Sequence, residues 1–150
     1  MKVLVQRVRQ AACEINHQVV SSIGKGLLLY VSFHHTDTID LLPKMAHKLK
    51  HLRIFEDDGG KMNLALKDFN YSVLSISQFT LEASTKKGHR PAFTDALEPV
   101  QAETFYNAFN QCLRELGVDV QTGAFQANMQ IHSVNDGPVT LMIERKHNDD

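Results

Sequence analysis

The 150-residue chain has no tryptophan, two cysteines, four prolines, no long apolar run and no excess of charge of either sign. With 16 Lys and Arg against 17 Asp and Glu, the formal net charge is −1, so no global basic field exists to gather nucleic acid, and any such contact must come from a local patch. Cys13 and Cys112 are far apart and form no C-x-x-C pair, which excludes a disulfide scaffold or a cysteine metal site and suits small core thiols in a reducing compartment. No stretch approaches the roughly 18 apolar residues of a membrane helix. Gln6 and Arg7 interrupt the N-terminal apolar pattern where a signal peptide would need continuity, so a cytoplasmic protein is expected. An apolar content of 43% over this length is enough for one self-sufficient core, and residues 1–150 read as a single domain, with 146–150 a polar tail.

What is present is a sequence of strand and helix periods. Residues 3–8 alternate faces, Ala12 to Val20 continues in the same manner, and Gly26-Leu27-Leu28-Leu29-Tyr30-Val31 is apolar enough for a central strand. From Asp37 to His51 the period becomes helical, with Leu42, Met45, Ala46 and Leu49 on one face and Pro43 tolerable only near the first turn. RIFEDDGGKMN reads as a strand ending in an Asp-Gly turn, and Tyr71 to Phe79 is a strong β-branched strand. Leu81 to Pro91 reads as a loop. A second helix is predicted from about Leu97 to Leu116, with Phe105, Ala108, Phe109, Cys112 and Leu116 as its stripe and Gly117 as its stop. Two closing strands are predicted, Gln126 to Val134 and Val139 to Arg145, joined through Asn135-Asp136-Gly137-Pro138. This order implies an α+β fold with a mainly antiparallel, barrel-like sheet and two principal helices.

Several familiar chemistries are absent. His47 and His51 stand four apart on a helix, but Lys48 occupies the place of a metalloprotease glutamate and Lys50 adds a second cation, so a solvated face is expected. His34-His35 has no Cys, Asp or Glu at ligand spacing along the chain, and neither a metal nor a cofactor is expected. Gly24-Lys25-Gly26 lacks the residues of a dinucleotide loop or P-loop, and no G-x-S-x-G elbow occurs.

Two segments remain open to a functional reading. Lys86-Lys87-Gly88-His89-Arg90 is the densest basic cluster, either a solvated loop or a phosphate contact. Ser77-Gln78-Phe79-Thr80-Leu81 places hydroxyls and an amide at the end of a buried strand, as strand-end hydrogen-bonders or as site residues.

Ser77-Gln78-Phe79-Thr80-Leu81 and Asn135-Asp136-Gly137-Pro138-Val139-Thr140 resemble the two signatures, SQFTL and NxGPVT, of the D-aminoacyl-tRNA deacylases. The similarity continues through Gln6-Arg7-Val8, Leu52-Arg53-Ile54-Phe55, Gly60-Lys61-Met62-Asn63, Gly88 with Arg90-Pro91, Thr122-Gly123 with Phe125, and Met129, to about residue 145. The resemblance implies a homodimer of barrel-like α+β subunits, without cofactor or metal. These would hydrolyse the ester between a D-amino acid and the 3′-terminal adenosine of tRNA, sparing the L-ester, with glycine mischarged on tRNA-Ala as a second substrate. It also implies a cis Gly137-Pro138 bond that reaches across the dimer into the partner's pocket, where rigid backbone would exclude an L-side chain.

For the chemistry, the resemblance leaves two routes. Thr80 could act as a nucleophile, although no partner that would activate it is visible in the sequence. Alternatively the backbone N–H groups of Phe79 and Thr80 hold the ester oxyanion while the adenosine 2′-OH assists water. Ser77 and Gln78 would shape the pocket, Arg7 would brace the strand or the dimer contact, and Lys86, Lys87 and Arg90 are candidate tRNA contacts. The chain departs from the family pattern at Ser32-Phe33, Ala124 and Gln126-Ala127-Asn128, all outside the signatures. The rival reading is a noncatalytic RNA-binding barrel that uses the same basic loop and a stacking ring such as Phe93.

Overall fold

The computed structural model describes residues 1–149; Asp150, the last residue of the expected polar tail, lies outside them. The chain opens with a long strand, β1 (Lys2–Ile15), then β2 (Gln18–Ile23) and β3 (Gly26–Ser32). Helix α1 (Leu41–Lys50) follows, then a two-stranded ribbon of β4 (Phe55–Glu56) and β5 (Met62–Leu64), and strand β6 (Ser72–Ser77). Helix α2 (Pro99–Glu115), β7 (Asp119–Thr122) and the long β8 (Gln130–Glu144) complete it.

The main sheet runs β2-β1-β3-β6-β7, with β8 along the other side of β1. Pairings of β1 with β2, β3 and β8 are antiparallel, whereas β3 with β6 and β6 with β7 are parallel, so the sheet is mixed. The parallel pairs follow from the connections, since the chain returns through α1 before β6 and through α2 before β7. As two-sided burial requires, β3 is a nearly continuous apolar run, GLLLYVS. Gly26 opens it because a Cβ there would lie 1.8 Å from the Ser72 carbonyl oxygen of β6.

Both helices pack on one face of the sheet. Leu41, Leu42, Met45, Ala46 and Leu49 of α1 are buried, and Lys44, His47 and Lys48 face out, as the helical period predicts. His51 at the helix end stacks its ring on His47 at 4.1 Å. Pro43 lies in the first turn, where its missing N–H costs no intrahelical bond. In α2, Glu98 caps the N-terminus by accepting from the N–H groups of Val100 and Gln101, and Pro99 takes the first helical position. The buried face is Ala102, Phe105, Tyr106, Phe109 and Leu113, rotated slightly from the predicted stripe, so Cys112 is only half-buried while Cys13 is fully buried. Burial raises the pKa of both thiols. One core cluster fills the space between helices and sheet; a smaller one, around Val8, Cys13, Leu28 and Ile76, lies on the other face.

Two sequence readings are corrected. β7 was not predicted, and the two expected closing strands are one strand, because both halves of β8 find partners along the whole of β1. The ladder is interrupted at two adjacent places: Val8 faces Asn135 and Gln10 faces Val134, leaving Arg9 unmatched, and between Gln6, which faces Thr140, and Val8 the four residues Asp136, Gly137, Pro138 and Val139 together stand opposite Arg7. The Asn-Asp-Gly-Pro sequence therefore forms a wide bulge rather than a hairpin. Among the described residues β8 pairs only with β1, and it leaves Val134, Leu141 and Met142 exposed. No helix among the described residues is long and apolar enough to cross a membrane.

Candidate active site

The Ser77–Leu81 segment sits where the buried strand β6 runs out. The Gln78 N–H donates to the Val31 carbonyl at 2.7 Å, extending the β3 ladder by one bond, and the chain then coils into a short 3₁₀ turn, Phe79–Glu82. Within the turn, Leu81 N–H donates to Gln78 O and Ala83 N–H to Thr80 O. The N–H groups of Phe79 and Thr80 open the turn and have no acceptor among the described residues, as helical geometry dictates for its first residues. Gln78 Nε2 donates to Thr80 Oγ1 at 2.5 Å, which fixes the threonine hydroxyl beside these two amides. The Phe79 ring is 55% exposed and meets the edge of Phe93 at 5.2 Å.

This turn forms one wall of a cavity of about 650 Å³. Ser77, Gln78 and Phe79 line it; Val31, Ile76 and Met129 contribute apolar surface, and the start of α2 and the segment Phe125–Met129 close its sides. Thr80 is exposed next to the lining residues. Among the described residues, Glu98 is the single titratable side chain in the lining, and its two oxygens are already engaged by the N–H groups of Gln101 at 2.7 Å and Val100 at 3.2 Å. Among the described residues, no histidine, lysine or free carboxylate lines the cavity. Two of the departures from the family pattern, Ser32-Phe33 and Gln126-Ala127-Asn128, lie in the cavity wall, while Ala124 is exposed outside it.

Sequence reasoning missed Glu82. Its side chain is buried, accepting a hydrogen bond from Ser32 Oγ at 2.7 Å and paired with Lys2 Nζ at 3.3 Å. Lys2 Nζ also reaches the Leu81 carbonyl at 3.4 Å. The network ties the back of the turn to the ends of β1 and β3. Ser32 thus acquires a specific partner, and the local signal was an isolated acidic residue directly after Leu81, at the end of the short turn.

The second motif lies elsewhere. Arg7, 4% exposed, extends beneath the β8 bulge, donating from Nε to Asp136 O at 3.1 Å and from Nη1 to Ile54 O at 2.7 Å. Looser ion pairs with Glu56 and Asp136, both at 3.8 Å, neutralise it. Gly137 has φ +123°, and the Gly137–Pro138 peptide is cis. Both residues are exposed and neither lines the large cavity, so within one chain the two motifs are not brought together.

Lys86, Lys87 and Arg90 are exposed on a loop closed by reciprocal backbone bonds between Ser84 and Ala92, at 2.8 and 2.9 Å. None of the three takes part in an ion pair among the described residues. The loop re-enters one residue before Phe93, at the rim of the cavity.

The same architecture occurs in solved proteins. The c-Myc DNA Unwinding Element Binding Protein superposes with a TM-score of 0.91 at 39% identity, covering 97% of this chain and 99% of that one. A probable eukaryotic D-amino acid tRNA deacylase shares the fold at a TM-score of 0.83 and 20% identity, over 95% of this chain and 97% of its own. In sequence, the D-aminoacyl-tRNA deacylase of Exiguobacterium sp. (strain ATCC BAA-1283 / AT1b) is 50% identical over 97% of this chain and 99% of its own length. That of Geobacillus sp. (strain WCH70) is 47% identical over 97% and 96%. These relatives place the chain in a class of ester hydrolases. Residues 4–144 match the family described as D-Tyr-tRNA(Tyr) deacylase, and the chain belongs to that family.

Proposed function

We propose that this chain hydrolyses the ester between a D-amino acid and the 3′-terminal adenosine of tRNA, through its backbone rather than through a side-chain nucleophile. The observation that carries this is the pair of free N–H groups at Phe79 and Thr80 beside a cavity with no available side-chain base. Water adds to the ester carbonyl, the oxyanion is held by those two amides, and the tetrahedral adduct collapses by breaking the bond to the adenosine 3′-oxygen, which leaves with a proton. The adenosine 2′-OH, adjacent to the scissile ester, orients the water. Ser77 and Gln78 shape the site, Gln78 holding the Thr80 hydroxyl. Lys86, Lys87 and Arg90 meet the phosphates of the tRNA end as it approaches the rim.

The chain works as a homodimer, in which the exposed β8 edge and its apolar residues Val134, Leu141 and Met142 are covered and Gly137-Pro138 of one subunit enters the cavity of the other. A glycine presents backbone without a Cβ, so it can approach the substrate α-carbon closely, and an L-side chain would collide with backbone that cannot yield. D-side chains point away, and glycine on tRNA-Ala, having none, is accepted. A substrate that belongs to translation supports a cytoplasmic location.

The test is hydrolysis of D-tyrosyl-, L-tyrosyl- and glycyl-tRNA by the purified chain, with its mass measured in solution. D- and glycyl esters are expected to be cleaved and the L-ester to survive; equal loss of D- and L-esters removes the chiral reading. The name of the unwinding-element binding protein favours a second reading, a nucleic-acid-binding module without hydrolysis. It predicts salt-sensitive tRNA binding with every ester intact.

A further inference from the structure

Beyond the apolar end of β3, the chain turns through His34 to Asp37 in a tightly held loop. The buried Asp37 carboxylate pairs with the N-terminal ammonium group at 2.5 Å and accepts from the His34 N–H at 2.8 Å. From the other side, the His35 N–H donates to the Asp95 carbonyl at 2.9 Å, and His34 bridges Ala96. Two segments far apart in sequence are therefore pinned together through backbone bonds, and side chains no local motif would associate are brought side by side. One donor atom from each of His34, His35 and Asp95 lies within 4.8 Å of the others.

The side-chain arrangement favours a ligand. The two imidazole rings stack at 4.3 Å. His34 Nδ1 accepts the Thr36 N–H at 3.2 Å and lies 2.8 Å from Thr36 Oγ1, contacts that hold the ring in place beside His35. The Asp95 carboxylate makes no ion pair or hydrogen bond among the described residues. His35 and Asp95 are exposed and His34 is half-buried, so an ion can enter from solvent. This differs from His47 and His51, whose intervening Lys48 is a cation and which form no such three-ligand group among the described residues.

We propose that His34, His35 and Asp95 bind a divalent transition-metal ion of the Zn²⁺ type. Two imidazoles and one carboxylate suit such an ion and not Mg²⁺ or Ca²⁺, which take oxygen ligands, and three protein ligands leave a fourth position for water or an anion oxygen. Tetrahedral binding needs the donors about 3.4 Å apart, a contraction that side-chain torsions of exposed residues supply without moving the pinned backbone. Phe33 and Ala96, immediate neighbours of the cluster, line the large cavity, so the ion adds positive charge at its rim. Binding does not depend on the proposed reaction.

The experiment is calorimetric titration of the metal-free full chain with ZnCl₂, with visible absorption of the Co²⁺ form as a reporter of coordination. One ion per chain is expected, with four-coordinate Co²⁺ bands. Affinity should fall by at least about tenfold in His35→Asn and, separately, in Asp95→Asn, and stay unchanged in the His47→Asn/His51→Asn double variant. Thermal unfolding without metal should match wild type in all of them, since the altered side chains lie at the surface. No saturable Zn²⁺ binding by the wild-type chain, or binding lost with His47 and His51 instead, overturns the proposal.

Discussion

Arg7 and Asp136 are joined from side chain to backbone: the guanidinium Nε donates to the Asp136 carbonyl at 3.1 Å, directly beneath the bulge that presents Gly137. The same side chain holds Ile54 O at 2.7 Å, so one buried cation links the β8 bulge to the segment leading into β4. A planar guanidinium can address two carbonyls in divergent directions at once, which a lysine ammonium on a flexible stem does poorly.

Arg7→Met should consequently loosen the bulge and leave the Ile54 carbonyl without its partner. The expected loss is about 1–3 kcal/mol, the cost of stranding a buried acceptor, read from the shift in urea midpoint. Arg7→Lys should recover only part of it. If the bulge works in the proposed crossed site, rejection of the L-ester should weaken together with cleavage of the D-ester; a midpoint shift with unchanged discrimination confines Arg7 to folding.

Gly137 supports a sharper test. At φ +123° an L-residue is strained, and an added Cβ would stand 3.0 Å from Arg7 Nη2 and Val139 Cγ2 and 3.1 Å from the Val139 nitrogen. Gly137→Ala should destabilise the chain by about 1 kcal/mol or more and displace the bulge. Mixed dimers discriminate a crossed site from a local one. Subunits carrying Gly137→Ala, combined with subunits damaged in the Phe79–Glu82 turn, should regain cleavage in the heterodimer if one subunit's bulge serves the other's cavity. No recovery places both defects in the same half.

How much of this was legible follows from the range of the interactions. Both helices were readable because Leu42, Met45, Ala46 and Leu49, and Phe105 and Phe109, recur at the helical period within their own segments. Strands β3 and β6 announced themselves by composition. The bulge was not readable, because Asn-Asp-Gly-Pro has every local feature of a turn and only pairing with β1, at the opposite end of the chain, keeps β8 continuous. β7 is four residues long and becomes a strand through its parallel neighbour β6. The signature segments were found by resemblance, yet their distance apart within one chain needed the fold. Glu82 escaped for the same reason as the bulge, since Ser32 and Lys2 are remote in sequence.

Glu82 therefore yields a prediction that sequence could not. Its charge is buried against one cation and one hydroxyl, and it lies at the far end of the turn that displays the Phe79 and Thr80 amides. Glu82→Ala should leave Lys2 and Ser32 without their partner and lower stability by about 1–3 kcal/mol. Glu82→Gln, which keeps the shape and the capacity to accept from Ser32, should retain more of it. Should the network also hold the turn in its working geometry, kcat will fall more than KM rises in Glu82→Ala, with partial rescue in Glu82→Gln. A midpoint shift without any change in kcat limits the network to stability.

Thr80 decides the mechanism. Its hydroxyl receives the Gln78 amide at 2.5 Å, and among the described residues no basic side chain lines the adjacent cavity to take its proton, so it is poorly placed to become an alkoxide. The backbone N–H of residue 80, by contrast, survives any substitution except proline. Thr80→Ala should therefore reduce D-aminoacyl-tRNA hydrolysis by no more than about 100-fold, the effect of disturbing one hydrogen-bonding group around an oxyanion. Loss of a true nucleophile removes catalysis to the level left by binding alone, about 10⁴-fold or more. Trapping by hydroxylamine distinguishes the routes independently of rate: an acyl-threonine intermediate partitions between water and the added amine, whereas direct attack by water leaves no enzyme-bound acyl group for the amine to intercept. Replacing the terminal adenosine by its 2′-deoxy analogue should then cost more than Thr80→Ala does, because the assisting hydroxyl belongs to the substrate.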